Sequence, residues 1–120
     1  MKNGFSFNLF ETLFENCFIE CSNYKNGNLQ LSLYGVDPVV NQIAHFADIT
    51  LDQNNVKLAE NEIVVNNRFR PTLIPQLKNL GILKEKLGMC IVNNYFYPIY
   101  SIDLSNVKVN GYYLHELLVA

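Results

Sequence analysis

Residues Glu60 to Leu83 read ENEIVVNNRFRPTLIPQLKNLGIL, and the fold class turns on this stretch. Ile63, Val64 and Val65 form a β-branched run, which favours a strand because branched side chains pack well on a pleated surface. Asn66-Asn67 tolerate turn conformations and end it. Thr72 is then placed to cap a helix, its hydroxyl accepting from an orphan amide of the first turn. Pro75 falls inside that turn, where a missing N–H costs little. Leu73, Leu77 and Leu80 recur at helical spacing and give the helix one apolar stripe. Gly81 supplies the left-handed residue that closes it, and Ile82 folds back on the last turn. A strand therefore feeds a helix over residues 72–80.

Working upstream, Ile43, His45, Ala47, Ile49 and Leu51 alternate with Ala44, Phe46, Asp48 and Thr50, which predicts a strand ending at the polar Asp52 to Asn55 turn. Asn26-Gly27 is the pair a type I′ turn prefers, and after it Leu29, Leu31 and Leu33 alternate with polar residues. A hairpin there needs a strand over roughly Cys17 to Tyr24. Residues 5–16 fit a helical turn or a short strand equally well. Downstream of Gly88 comes MCIVNNYFYPIYSIDL, rich in β-branched and aromatic residues, with Asn93-Asn94 as its hairpin turn. Pro98 has no N–H to donate and points to an edge strand or a bulge. Asn110-Gly111 marks another turn, and Tyr113, Leu114, Leu117 and Leu118 fit either a short terminal helix or a last strand. The expected architecture is one α+β domain over residues 1–120: a mainly antiparallel sheet of four to six strands with the helix packed on one face.

Composition narrows the class. Apolar residues make up 49% and charged residues 17%, enough core material to exclude a disordered chain. The apolar runs are far too short for a membrane span, and Glu11 and Glu15 interrupt the N-terminal region where a signal peptide needs unbroken apolar sequence, so a cytoplasmic location is expected. Cys17, Cys21 and Cys90 are odd in number, which favours buried reduced thiols over a disulfide framework. Seventeen Asn, about one residue in seven, have no evident purpose in the pattern. The net charge of −2 is unevenly spread: residues 1–67 hold three Lys against eight acids, whereas residues 68–86 hold Arg68, Arg70, Lys78, Lys84 and Lys86 against Glu85 alone.

From about Asn28 to Leu104 the segments NLQLSLYG, FADITLD, LAENEIVVNN, NLGIL and YPIYSIDL follow in an order that resembles a small family of unknown function. That family occurs on conjugative elements, plasmids and prophages of low-GC Gram-positive bacteria. Where the family has Gly- and Arg-containing residues before the final strand, KEKLGMCIVNNYF stands here. The resemblance implies a mobile-element accessory protein with an antiparallel α+β domain, and it brings no catalytic residue.

No motif for chemistry stands out. The six glycines are never clustered, so phosphate-binding loops, dinucleotide fingerprints and nucleophile elbows are excluded. His45 with Asp48, or Glu60 with Glu62, can be paired for acid–base work, but carboxylates beside polar turns are ordinarily just solvated. Cys17, Cys21 and Cys90 lack a C-x-x-C knuckle and are expected in the core, with no metal and no cofactor. The alternation puts His45 on the apolar side of its strand.

Two features point to binding instead. Arg68, Arg70, Lys78, Lys84 and Lys86 form an electropositive segment on an acidic chain, suited to an acidic protein surface or to phosphate groups. Tyr95, Tyr97 and Tyr100 are the second feature, because Tyr offers a large apolar face with a hydroxyl that tolerates water. The expected function is a non-enzymatic interaction protein of a mobile element or phage, an inhibitor of host defence of the anti-restriction or anti-CRISPR type. Its partner would be a host or element protein, with self-pairing into a homodimer through an edge strand also open. The alternative is a nucleotide or RNA binder using residues 68–86, and nucleic acid ranks below protein because the basic balance is only local.

Overall fold

In the computed structural model, residues 4–9, 11–37, 39–109 and 112–113 are described. The elements run β1 (Phe5–Leu9), β2 (Thr12–Asn23), β3 (Leu29–Asp37), β4 (Gln42–Asp48), β5 (Glu62–Val64), α1 (Leu73–Asn79), β6 (Leu83–Val92), β7 (Tyr95–Ile102), β8 (Lys108–Val109) and β9 (Tyr112–Tyr113). The chain is thus mostly antiparallel sheet with one α-helix among the described residues. The nine strands among the described residues exceed the four to six expected, because they divide between two sheets and several are short. Residues 5–16, ambiguous in sequence, form β1 and the start of β2. The turn expected at Asn110-Gly111, and the residues after Tyr113 that fit either a short terminal helix or a last strand, lie outside the described residues; Tyr112 and Tyr113 are strand. No helix among the described residues is long and apolar enough to cross a membrane.

The six-stranded sheet is built on β2, whose first half pairs with β1 and whose second half pairs with β3. The short β8 runs parallel beside Glu20 and Cys21. Alternation works as expected here: Cys17, Ile19, Cys21, Leu31 and Leu33 face the core. It fails on β4. Leu33 pairs with Ala47 and Tyr34 with His45, so Phe46 is an extra residue, and this bulge turns His45 out to solvent. Phe46 instead leans over Gly35, where a Cβ would meet its Cε2 at 2.5 Å.

Turn chemistry accounts for part of the asparagine. Seven described non-glycine residues have positive φ, and five are Asn: Asn16, Asn41, Asn61, Asn93 and Asn94. Asn tolerates this left-handed region better than other side chains. Asn93 and Asn94, at φ 51 and 68, form the type I′ turn between β6 and β7. At Asn26-Gly27 the hairpin forms but the turn differs. Gly27 N–H donates to Tyr24 O at 2.9 Å and only Gly27 has positive φ, the pattern of a type I turn closed by a glycine bulge. The Asn26 amide is thereby free to bond Asp52, Gln53 and Asn54, tying the hairpin tip to the next loop.

The smaller sheet has the order β5-β7-β6. Pro98 therefore lies in the middle strand, not on an edge. Residues of an antiparallel strand point both backbone groups at the same neighbour, and Pro98 O accepts from Val65 N at 2.9 Å. Its nitrogen accordingly faces the ground just past the end of β5, where no donor is needed. Helix α1 ends as expected: Gly81, at φ 74, donates to Lys78 O and Ile82 N–H donates to Leu77 O, a Schellman closure with Leu77 and Ile82 both buried. Its start differs, since the Thr72 hydroxyl caps no amide and instead accepts from Gln76 Nε2 at 3.2 Å.

The two sheets are joined by a hydrogen-bonded seam. Ile49 N–H donates to Leu31 O on β3, Asn66 N–H to Ile49 O, and Leu51 N–H to Val64 O, around an isolated bridge between Thr50 and Val65. One core takes Leu31, Leu33 and Ile49 from one side, Ile63, Tyr100 and Ile102 from the other, and Leu73 and Leu77 from the helix. A smaller cluster gathers Val64, Cys90 and Tyr97 on the opposite face of the small sheet. Replacing Gly81 by Ala is expected to cost roughly 1 kcal/mol in urea unfolding, because φ there is left-handed. Gly88→Ala, with open space around its Cα, is expected to be near neutral.

Candidate functional site

The chain leaves the seam at Asn66 and reaches α1 through Asn67, Arg68, Phe69, Arg70, Pro71 and Thr72. Arg70 N–H donates to Asn67 O at 2.9 Å, closing a four-residue turn with Arg68 and Phe69 at its centre. Phe69, the third residue, has φ 62. That position of a type II turn is ordinarily glycine, and a bulky side chain there is a strained exception. Phe69 is also 78% exposed, so burial does not explain it.

What imposes the conformation is visible in the bonds around it. The Arg70 guanidinium reaches back and donates through Nη1 to Asp48 O at 3.3 Å and Asn66 O at 3.2 Å. Arg70 thus clips the turn onto the seam. Arg68 points the other way, with its guanidinium carbon 3.2 Å from the centre of the Tyr95 ring and 4.6 Å from that of Phe69. Tyr95 stands at the tip of the β6–β7 hairpin, placed there by the Asn93-Asn94 turn. A guanidinium held against aromatic faces keeps its N–H edge directed outward, ready for a carboxylate or another planar anion.

Two clefts flank Phe69. One, of about 320 Å³, runs between Phe7, Leu9, Pro71 and Leu73. The other, of about 410 Å³, lies between Leu51, Asn66, Arg68 and Tyr97. Both are lined mainly by apolar surface, with Arg70 in the first and Arg68 and Arg70 in the second.

The structure divides the residues expected from sequence. Arg68 and Tyr95 come together. Arg70 spends its donors on backbone carbonyls. Lys78, Lys84 and Lys86 are exposed elsewhere: Lys78 Nζ lies 5.6 Å from the Tyr100 ring, and Lys86 is cross-strand from the same residue. Tyr97 and Tyr100 are buried and serve the core, so they present no free face to a partner. Phe69 was not singled out in sequence; the one available signal is an apolar ring between two arginines ahead of a proline, RFRP.

The remaining polar groups have structural explanations. His45 Nε2 lies 2.9 Å from Asp48 Oδ1, and the Ser32 hydroxyl donates to the same oxygen at 3.0 Å, so the serine is bonded to the carboxylate instead of to the imidazole. Glu62 accepts from Ala59 N–H and caps a turn. All three thiols are free and buried, with Cys17 and Cys21 in the main core and Cys90 in the smaller cluster. Burial pushes the Cys17 thiol up to about 11, away from reactivity. Among the described residues no group of three or more His, Cys, Asp or Glu is arranged to hold a metal ion.

No protein-family model matches the chain, and neither the curated proteins nor the solved structures contain a match.

If the turn is held from its Arg70 side, substitutions at neighbouring positions separate cleanly. Arg70→Ala is expected to lower unfolding free energy by about 1–3 kcal/mol, since it strips charged donors from two carbonyls. Phe69→Gly is expected to change it by less than about 0.5 kcal/mol, because relief of the backbone offsets the lost ring contact. Urea titration of both variants measures the contrast.

Proposed function

We propose that the protein is a non-enzymatic binding module whose contact surface is Arg68, Phe69 and Tyr95, with an acidic and partly apolar protein segment as its partner. The observation that carries this reading is Phe69: a bulky ring held at positive φ, directed into solvent, beside a clamped guanidinium. Strained backbone persists where its surroundings over-determine it, and it concentrates at binding sites. An exposed aromatic next to an arginine is also the residue pairing that dominates binding energy at protein interfaces. Phe69 would enter an apolar pocket of the partner while the Arg68 edge meets a carboxylate. Electrostatic steering would come from the basic side chains of residues 68–86 on an otherwise acidic chain.

The finer reading, an inhibitor of host defence carried by a mobile element, rests on the sequence resemblance, the small size and the separated charge. The phosphate-ligand alternative loses support from the dispersal of the five basic residues. Arg70 is committed to the backbone, and Lys78 and Lys86 gather at Tyr100, away from Arg68.

Selection from a random peptide library displayed on phage tests the proposal without a known partner. The wild-type protein is expected to enrich peptides with Asp or Glu beside a large apolar residue. Arg68→Glu should remove or reverse the acidic preference, and Phe69→Gly should reduce recovery overall while the protein stays folded. Equal enrichment by all three proteins, or none by the wild type, would count against the surface. A nucleotide panel in thermal shift covers the alternative, where a ligand at a hundred times its Kd adds about 2.7 kcal/mol.

A further inference from the structure

A second surface, independent of Arg68 and Phe69, lies on β6. The order β5-β7-β6 makes β6 the terminal strand of its sheet. The two-residue turn fixes the phase of pairing: Val92 and Tyr95 exchange hydrogen bonds, as do Cys90 and Tyr97, so Met89 and Ile91 direct their N–H and C=O groups away from β7. Two details agree with this phase. Pro98, the partner of Met89, has no N–H to give β6, and the Ile91 carbonyl is met from outside by Asn55 Nδ2 at 2.6 Å.

Side chains make this edge unusual. Met89, Ile91 and Phe96, the last opposite Ile91, lie on the face of the small sheet that elsewhere carries Tyr100 and Ile63 into the main core. They extend past the covered part and are 45%, 51% and 65% exposed. Leu87, at a bulge, is 46% exposed. Folded monomers ordinarily blunt such an edge with charge, irregular register or a covering loop. The first half of β6 is blunted this way, by Lys84, Glu85, Lys86 and two register shifts. At Ile91 the block is the Asn55 side chain.

We infer that β6 pairs antiparallel with β6 of a second copy about a two-fold axis at Met89, and that Asn55 competes with this pairing. The register is self-complementary: Met89 faces Met89, and Leu87 of each copy faces Ile91 of the other. Lys84 and Glu85 fall opposite Asn94 and Asn93, so no like charges oppose each other, and the low net charge leaves little mutual repulsion. In the dimer the Ile91 carbonyl exchanges Asn55 for a backbone N–H of the other copy's β6.

Sedimentation equilibrium over a wide concentration range tests this. The wild type is expected to show a monomer–dimer equilibrium, and Asn55→Ala should tighten it about tenfold by freeing the carbonyl. Met89→Lys, at an exposed position, should leave a folded monomer. Met89→Cys should form a disulfide-linked dimer under mild oxidation, because the three native thiols are buried. A wild type and Asn55→Ala that both stay monomeric, or a dimer unaffected by Met89→Lys, would overturn the pairing.

Discussion

The placement of the small sheet and of the segment that leaves it at Asn66 depends on one line of backbone hydrogen bonds, the seam that sets Ile49, Thr50 and Leu51 against Val64, Val65 and Asn66. It joins β3 of the large sheet to β7 of the small one through Val65 and the Pro98 carbonyl. Tyr24 reinforces it from the hairpin tip, its hydroxyl 2.9 Å from Thr50 Oγ1, which also accepts from Leu31 N–H. Because the seam is buried, each of its backbone groups needs a partner, and a shift of register would orphan several at once. The exit direction of the chain at Asn66 is fixed accordingly.

That fixed exit explains how a seven-residue loop-and-turn segment acquires a defined surface. Arg70 bonds the carbonyls on either side of the seam and pulls the turn inward, which leaves Arg68 and Phe69 nowhere to go but out. The β6–β7 hairpin, positioned through β5 by the same seam, brings Tyr95 to the guanidinium. Rigid elements on both sides mean that little side-chain entropy is left to lose on binding, the property that lets a small patch bind tightly.

The stretch from Glu60 to Leu83 was legible because its signals are local. A β-branched run, a leucine stripe and a glycine at the helix end each act over a few residues, and the strand, the helix and its closure stand where they point. Effects that depend on a neighbour in space were not legible. The Thr72 hydroxyl goes to Gln76, the bulge at Phe46 reverses His45, and Pro98 sits in a middle strand because its nitrogen faces past the end of β5. Tyr95 and Tyr97 share a face by alternation, yet only Tyr97 is covered, by Leu51 and its loop. Phe69 left no trace in periodicity, since its importance comes from a backbone angle imposed by Arg70.

The central claim is that Arg68 is clamped against the Tyr95 and Phe69 rings in the free protein, before any partner arrives. Side-chain NMR of Arg68 reads this directly. A clamped guanidinium predicts δ-proton resonances displaced upfield by the ring currents and an Nε–H that exchanges slowly, both returning to ordinary values in Tyr95→Ser. Ordinary shifts and fast exchange already in the wild type would contradict it.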